Sequence, residues 1–223
     1  MPRQTSHTSI YQSLVKPCLD RLFALLIFVF LSPFLAVVGL MLALHFKKSP
    51  FFRQQRIGLN EIPFDILKFR TFDVEDDHSS VSSFAAFLRK TSVDEMPQLI
   101  NIMLGQMSFV GPRPLFTEYL QHYNAEQSSR HAVRPGVTGL AQISMGNSED
   151  WNCRLAYDVE YVDKASLKLD LKILFLTAIE IFFWRKKSSK DVSIQRFDDF
   201  ARRNAQLEEK EHSMEEINTS KSS

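Results

Sequence analysis

The chain has almost no cysteine and almost no excess charge. Its 223 residues hold two cysteines, Cys18 and Cys153, far apart and without metal-ligand spacing. That argues against a disulfide scaffold and a cysteine-built metal site, and suits free thiols in a reducing compartment. Lysine and arginine number 27 against 26 aspartates and glutamates, a formal net charge of +1. A dedicated nucleic-acid binder is normally basic, so no nucleic-acid partner is expected. No internal repeat is present. No small-x-small cleavage site follows the apolar N-terminal stretch, which also exceeds a signal-peptide core of about 7–15 residues. A cleaved leader is therefore disfavoured.

What is present is one long apolar run. Residues 22–44 carry no charge, and Ser32-Pro33 stands in the middle. The run is long enough to cross a bilayer, which takes roughly 20 apolar residues. A proline at its centre removes a backbone donor and kinks or breaks a helix. Lys16 and Arg21 precede the run, and Lys47 and Lys48 follow it. Lys and Arg mark the cytoplasmic flank of a membrane segment, and here both flanks qualify. The residues leave two geometries open. One is a kinked spanning helix; the other is a re-entrant helix-break-helix hairpin that turns at Ser32-Pro33, with Ser32 bonding a freed carbonyl.

The rest suits one small α+β, mainly helical domain. Residues 50–53 and 64–70 read as short extended segments around a turn at Gly58-Leu59-Asn60, the second a strand by its apolar–polar alternation. An acidic, serine-rich loop covers 73–82, and a short helix covers 84–90. A helix from Thr91 to Gly105 is expected, with Ser92 and Glu95 as a capping box. Gly-Pro-Arg-Pro at 111–114 and Arg134-Pro135-Gly136-Val137-Thr138-Gly139 read as rigid loops around a helical stretch at 115–130. A polar helix follows at 150–162. Residues 167–184 are apolar but interrupted by Lys168, Asp170, Lys172 and Glu180, which predicts an interfacial amphipathic or core helix, with Trp184 and a basic cluster at its end.

Three features carry possible chemistry. Asp94 and Glu95 are adjacent carboxylates in a predicted first helical turn, where the dipole favours their ionised forms. Such a pair can hold Mg2+ through oxygen, and one member can act as a nucleophile; the plain alternative is capping. Arg113 and Arg134 sit on proline-stiffened loops, where a guanidinium binds phosphate in pairs and Gly111, Gly136 and Gly139 could bring N–H groups to an anion. Lys68, Arg70, Arg89 and Lys90 add positive charge before the acidic pair. Together they suggest a site for a phosphate-bearing substrate beside a membrane, with phosphoryl transfer as the reaction class.

Eight motifs in order resemble the bacterial sugar transferases, specifically the small monotopic phosphoglycosyl transferases. They are Lys-Pro-x-x-Asp-Arg (16–21), the Ser32-Pro33 run, Phe-x-x-Gln-x-Arg-x-Gly (51–58), Lys-Phe-Arg-Thr (68–71), residues 88–99 around Asp94-Glu95, Met-Ser-Phe-Val-Gly-Pro-Arg-Pro (107–114), Arg-Pro-Gly-Val-Thr-Gly-Leu-Ala-Gln (134–142) and Asp-x-x-Tyr-Val (158–162). The resemblance implies a flexible 1–15, a re-entrant membrane helix over 16–48, a cytoplasmic transferase domain with interfacial helices over 49–187, and a charged, partly disordered tail over 188–223. It also implies residence at the bacterial inner membrane with the domain on the cytoplasmic face. By resemblance, Asp94 is the nucleophile toward a UDP-sugar, Glu95 a Mg2+ ligand beside it, and a polyprenyl phosphate such as undecaprenyl phosphate the acceptor. UMP would leave. Lys68, Arg70, Arg89, Arg113, Arg134, Asp158 and Tyr161 match positions expected to serve substrate binding. An N-acetylated amino sugar is the expected donor, with a hexose as the alternative; an inactive membrane-surface scaffold is the non-enzymatic alternative. No oligomeric state is implied. Two departures stand out: Phe72 in place of the usual methionine, and Gln106 in place of a common acid.

Overall fold

The computed structural model describes residues 9–72, 83–145 and 150–183. The expected loop at 73–82, the start of the N-terminal segment, Trp184 with its basic cluster and the tail at 188–223 lie outside the described residues. A π-helical turn at Tyr11–Val15 leads into α1 (Lys16–Phe46). Asp20, Ala24, Phe28, Leu31, Leu35, Val38 and Leu42 turn inward along α1, buried or half-buried. Their three- and four-residue spacing makes one continuous stripe. The opposite side is bare: Leu26, Val29, Phe30, Val37, Leu40 and Leu44 are all exposed. A soluble surface rarely carries so long an apolar face, which marks an interaction with a membrane or a partner.

The expected break at Ser32-Pro33 is absent. α1 is a single helix that continues through Pro33, so the helix-break-helix expectation is corrected to one element. Pro33 has no N–H, which leaves the Val29 carbonyl, four residues earlier, without its helical donor. The Ser32 hydroxyl donates to that carbonyl at 2.9 Å. The serine thus repairs from within what the proline removes.

Both ends of α1 are fastened to the same body. At the start, Lys16 donates to Asp170 Oδ2 at 2.5 Å, and Asp20 accepts from Ser108 at 2.6 Å. Toward the far end, Leu35, Val38 and Leu42 pack with Phe69 and Leu88.

β1 (Phe51–Ile57) and β2 (Pro63–Phe69) form an antiparallel hairpin, with Arg56 opposite Phe64 and Phe52 opposite Lys68. Asn60 and Glu61 take positive φ to close its turn. The alternation of β2 buries Phe64 and Ile66 against Ala24, Leu99 and Ile102. α2 (Ser83–Lys90) precedes a 3-10 turn at Val93–Glu95, and α3 (Gln98–Met103) follows. The single helix expected from Thr91 is therefore split. Ser92 adopts a left-handed φ of 56° and makes no side-chain cap, so the capping box does not form.

β3 (Ser108–Val110) and β4 (Gly136–Thr138) pair in parallel; the 111–114 segment is irregular as expected, whereas β4 forms inside the loop expected at 134–139. The Gly111 N–H donates to Thr138 O, and the Gly136 N–H to Pro112 O, each at 2.9 Å. A Cβ on Gly136 would stand 2.1 Å from Gly111 N. These glycines let two backbones touch, and their N–H groups are not free for an anion. The stretch expected to be helical at 115–130 is instead a 3-10 turn at Thr117–His122, α4 (Ala125–Ser128) and a further 3-10 turn at Ser129–Ala132. α5 (Leu140–Met145), α6 (Trp151–Lys164, capped by the Asp150 side chain) and α7 (Leu167–Phe183) complete the α+β, mainly helical fold. α7 buries Ile173 with Val110 and Tyr161 and leaves Leu171, Phe175 and Ile181 bare. Cys18 and Cys153 are exposed and unbridged.

Candidate active site

The hairpin and the turn before α3 build the site. Directly opposed residues of an antiparallel pair share a face. The register therefore puts Gln54, Arg56 and Lys68 on one side of the hairpin. The 3-10 turn sets Asp94 and Glu95 against that side. Lys68 Nζ donates to Glu95 Oε1 at 2.7 Å, and Arg113 Nη2 stands 3.6 Å from the same oxygen. The loop carrying Arg113 is held twice. The Ile57 N–H donates to Leu115 O at 3.0 Å, which staples the end of β1 to it. Arg130 Nη2 donates to the Arg113 carbonyl at 2.7 Å.

The two carboxylates have been driven apart. Burial pushes Asp94 up to about 6, the negative charge of Glu95 adds to the rise, and Lys68 and Arg89 only partly oppose it. Burial also acts on Glu95, but Arg113 and Lys68 outweigh it and hold that carboxyl below its ordinary value. The dipole effect expected for both residues does not govern Asp94, which sits in one tight turn. Among the described residues, Asp94 has no ion-pair partner within 4.0 Å, whereas Glu95 has two. Pairs of titratable groups with divergent environments are how sites separate chemical roles.

Mg2+ commonly uses one or two carboxylates and completes its shell with water and substrate phosphates. Asp94 and Glu95 fit that pattern: among the described residues Glu95 Oε2 takes no hydrogen bond, and the Asp94 carboxylate is met by its own backbone N–H alone. No group of three or more His, Cys, Asp or Glu side chains placed to hold a metal occurs among the described residues.

The other expected site residues fall in several places. Arg89 Nη2 lies 3.5 Å from Thr71 O and acts on Asp94 electrostatically. Arg70 Nε donates to Ser49 O at 3.0 Å, at the open end of the hairpin. Arg134 Nε donates to Gly105 O at 2.8 Å, just beyond α3. Asp158 is buried and accepts from Arg130 at 2.7 and 3.0 Å, so it reaches the site only through the Arg130–Arg113 link. Tyr161 is buried and donates to Asp170 at 2.8 Å and Val110 O at 3.1 Å. None of Arg70, Arg134, Asp158 and Tyr161 forms a hydrogen bond or ion pair with Asp94 or Glu95 among the described residues.

Several residues were not singled out by sequence reasoning. Asn101 takes the Leu67 N–H at 2.9 Å and donates to Asp65 O at 2.7 Å, locking α3 to β2 beside Lys68. It also donates to Gln106 Oε1 at 2.8 Å. An acid at 106 would accept the same bond, so the Gln106 departure keeps this contact. Phe72 rests on Phe52, ring centroids 5.3 Å apart. Arg56 and Gln54 were present only inside the Phe-x-x-Gln-x-Arg-x-Gly motif. The alternation of β1 was the signal that places them on the Lys68 side.

The sequence profile for bacterial sugar transferases matches residues 11–184. The chain belongs to the bacterial sugar transferase family. It is 41% identical over 175 residues to the uncharacterized sugar transferase EpsL of Bacillus subtilis, covering 73% of this chain and 87% of that protein. It is 36% identical over 204 residues to the exopolysaccharide production protein ExoY of Sinorhizobium fredii, covering 79% of this chain and 89% of the relative. It is 33% identical over 190 residues to a UDP-glucose:undecaprenyl-phosphate glucose-1-phosphate transferase of Xanthomonas campestris, covering 77% of this chain and 39% of the relative. The match thus spans most of the two shorter relatives and under half of the longer one. Family membership makes this bacterial sugar transferase an enzyme.

Proposed function

We propose that the protein transfers a sugar-1-phosphate from a UDP-sugar to a polyprenyl phosphate, such as undecaprenyl phosphate, and releases UMP. The observation that carries this reading is the divided carboxylate pair. Glu95 is anchored by Lys68 and Arg113, while Asp94, one residue away, is buried and has no ion-pair partner within 4.0 Å among the described residues. An Asp94 oxygen attacks the sugar-linked phosphorus, the bond to the bridging oxygen breaks, and UMP departs with its electron pair. The lipid phosphate then attacks the same phosphorus of the aspartyl-phosphosugar, and the Asp94 carboxylate is released. Splitting the transfer in this way is covalent catalysis and predicts ping-pong kinetics. Glu95 and Asp94 would hold Mg2+, which when bound neutralises phosphate charge. Lys68 and Arg113 orient the donor, and Arg89 offsets the charge of the approaching carboxylate.

The bare faces of α1 and α7 support seating this chemistry on a membrane surface. Both ends of α1 packed on one domain and lysines on both flanks support a monotopic placement on the cytoplasmic face of the inner membrane. The relatives named for a donor use UDP-glucose. A hexose-1-phosphate for exopolysaccharide synthesis is therefore the first donor to test, and the N-acetylated amino sugar the second. The experiment is UMP release by purified protein with Mg2+, undecaprenyl phosphate and each UDP-sugar, beside Asp94→Asn. Release that requires the lipid and Asp94 is expected. Equal release by the variant removes Asp94 as nucleophile, and none from any donor removes the reading.

A further inference from the structure

Among the described residues, Arg56 is a cation without an ion-pair partner. It lies half-buried near the end of β1, its guanidinium carbon 3.5 Å above the centre of the Phe116 ring. Its Nη2 donates to Gln54 Oε1 at 2.6 Å. Its Nε is enclosed with no hydrogen-bond partner, and among the described residues no carboxylate stands within ion-pair range. Burial pushes this guanidinium down to about 10, and the neighbouring charge of Arg113 adds to that. Both arginines act on Glu95, which already takes Lys68. The ring face of Phe116 compensates part of the charge. It does nothing for the repulsion between two guanidiniums, and a partly buried cation is costly until an anion completes it.

The two groups are also held in advance. Phe116 and Gln54 fix the plane of Arg56. Pro112 and Pro114 stiffen the segment around Arg113. The Ile57–Leu115 backbone bond ties the two carriers together. Groups ordered before binding lose little entropy on binding, and a guanidinium presents paired donors to phosphate oxygens.

We propose that Arg56 and Arg113 form a two-arginine clamp on the diphosphate of the nucleotide donor, with Gln54 and Phe116 as the positioning residues of Arg56. The assignment rests on the sugar-phosphate transfer proposed above. A nucleoside diphosphate brings two phosphoryl groups to two separate cations. The lipid acceptor brings one phosphate, and a clamp of this kind is in excess for it.

The test is titration calorimetry of UDP, UMP and uridine into the full chain in detergent with Mg2+, for wild type, Arg56→Ala and Arg56→Lys. Michaelis constants for donor and for undecaprenyl phosphate are measured alongside. A hydrogen-bonded contact to a charged group corresponds to about 10- to 100-fold in affinity. UDP affinity of Arg56→Ala should fall by about that factor, UMP by less and uridine not at all. The donor constant should rise while the acceptor constant stays. Arg56→Lys keeps the charge without the planar fork and should recover part of the loss. Unchanged UDP affinity in a folded Arg56→Ala, or a rise confined to the acceptor constant, overturns the clamp. Should Arg56→Ala not fold, Arg56→Lys decides: wild-type UDP affinity there overturns it. Wild-type protein that neither binds UDP nor releases UMP overturns the transfer reading itself, and the clamp with it.

Discussion

Replacing Asp94 with asparagine should make the protein inert and more stable at once. The reason lies in the cost of keeping an ionised carboxylate in that turn. Burial and the charge of Glu95 raise Asp94 from 3.8 to about 6. The folded state therefore holds this proton more tightly than the unfolded chain does. Stability from this group is highest below about pH 4, falls as pH rises toward about 6, and is level above that. At neutral pH the ionised side chain costs about 3 kcal/mol of folding free energy. Asparagine has nearly the same shape and carries no charge. Its amide must still find partners, so the measured gain should be about 2–3 kcal/mol, or a Tm higher by about 4–10 °C for a chain of this size. The assay is thermal and denaturant unfolding of detergent-purified protein from pH 4 to 8, without Mg2+. Comparing the two proteins at each pH cancels the titration of every other group. The gap should open between pH 4 and 6 and then stay constant. Adding Mg2+ should raise the Tm of wild type more than that of the variant, since binding to the folded state stabilises it. A variant less stable at pH 7.5, or a gap that does not change with pH, would refute the reasoning.

Two further outcomes test the frame around the site. Gly136→Ala places a methyl 2.1 Å from the Gly111 nitrogen, a backbone atom that cannot swing aside. It should cost about 2–3 kcal/mol in denaturant unfolding, and a wild-type midpoint would show that β3 and β4 tolerate separation. For the membrane arrangement, single cysteines at positions 10 and 48, with Cys18 and Cys153 replaced by serine, should both be protected from an impermeant maleimide in right-side-out vesicles. Both should label in inverted ones, and opposite labelling of the two would mean that α1 spans.

The most legible parts of this protein are those whose cause is local. The uncharged run of α1, the alternation of β2 and the Asp150 cap of α6 each follow from neighbours a few residues apart. The acidic pair was legible for the same reason, as were Lys68 and Arg113 by their motifs, and all four meet in the structure. Local pattern overreached where two local rules competed. Pro33 predicted a break, yet Ser32 supplies the missing donor and the helix continues. Ser92 and Glu95 matched a capping box, yet Glu95 gains more from Lys68, a residue 27 positions away in the chain.

By itself, then, the amino-acid order determined α1 with its apolar face, the β1–β2 hairpin and α6, and it set two carboxylates side by side at Asp94 and Glu95. Tertiary structure alone decided their partners. It set β3 on β4, stacked Arg56 on Phe116, buried Asp158 against Arg130, and gave Glu95 two ion-pair partners while Asp94 has none within 4.0 Å among the described residues. The physical reason is that helices, strands and caps arise from contacts within a turn or a pleat. Charge balance at a buried site is instead a sum over groups that only the folded chain brings together.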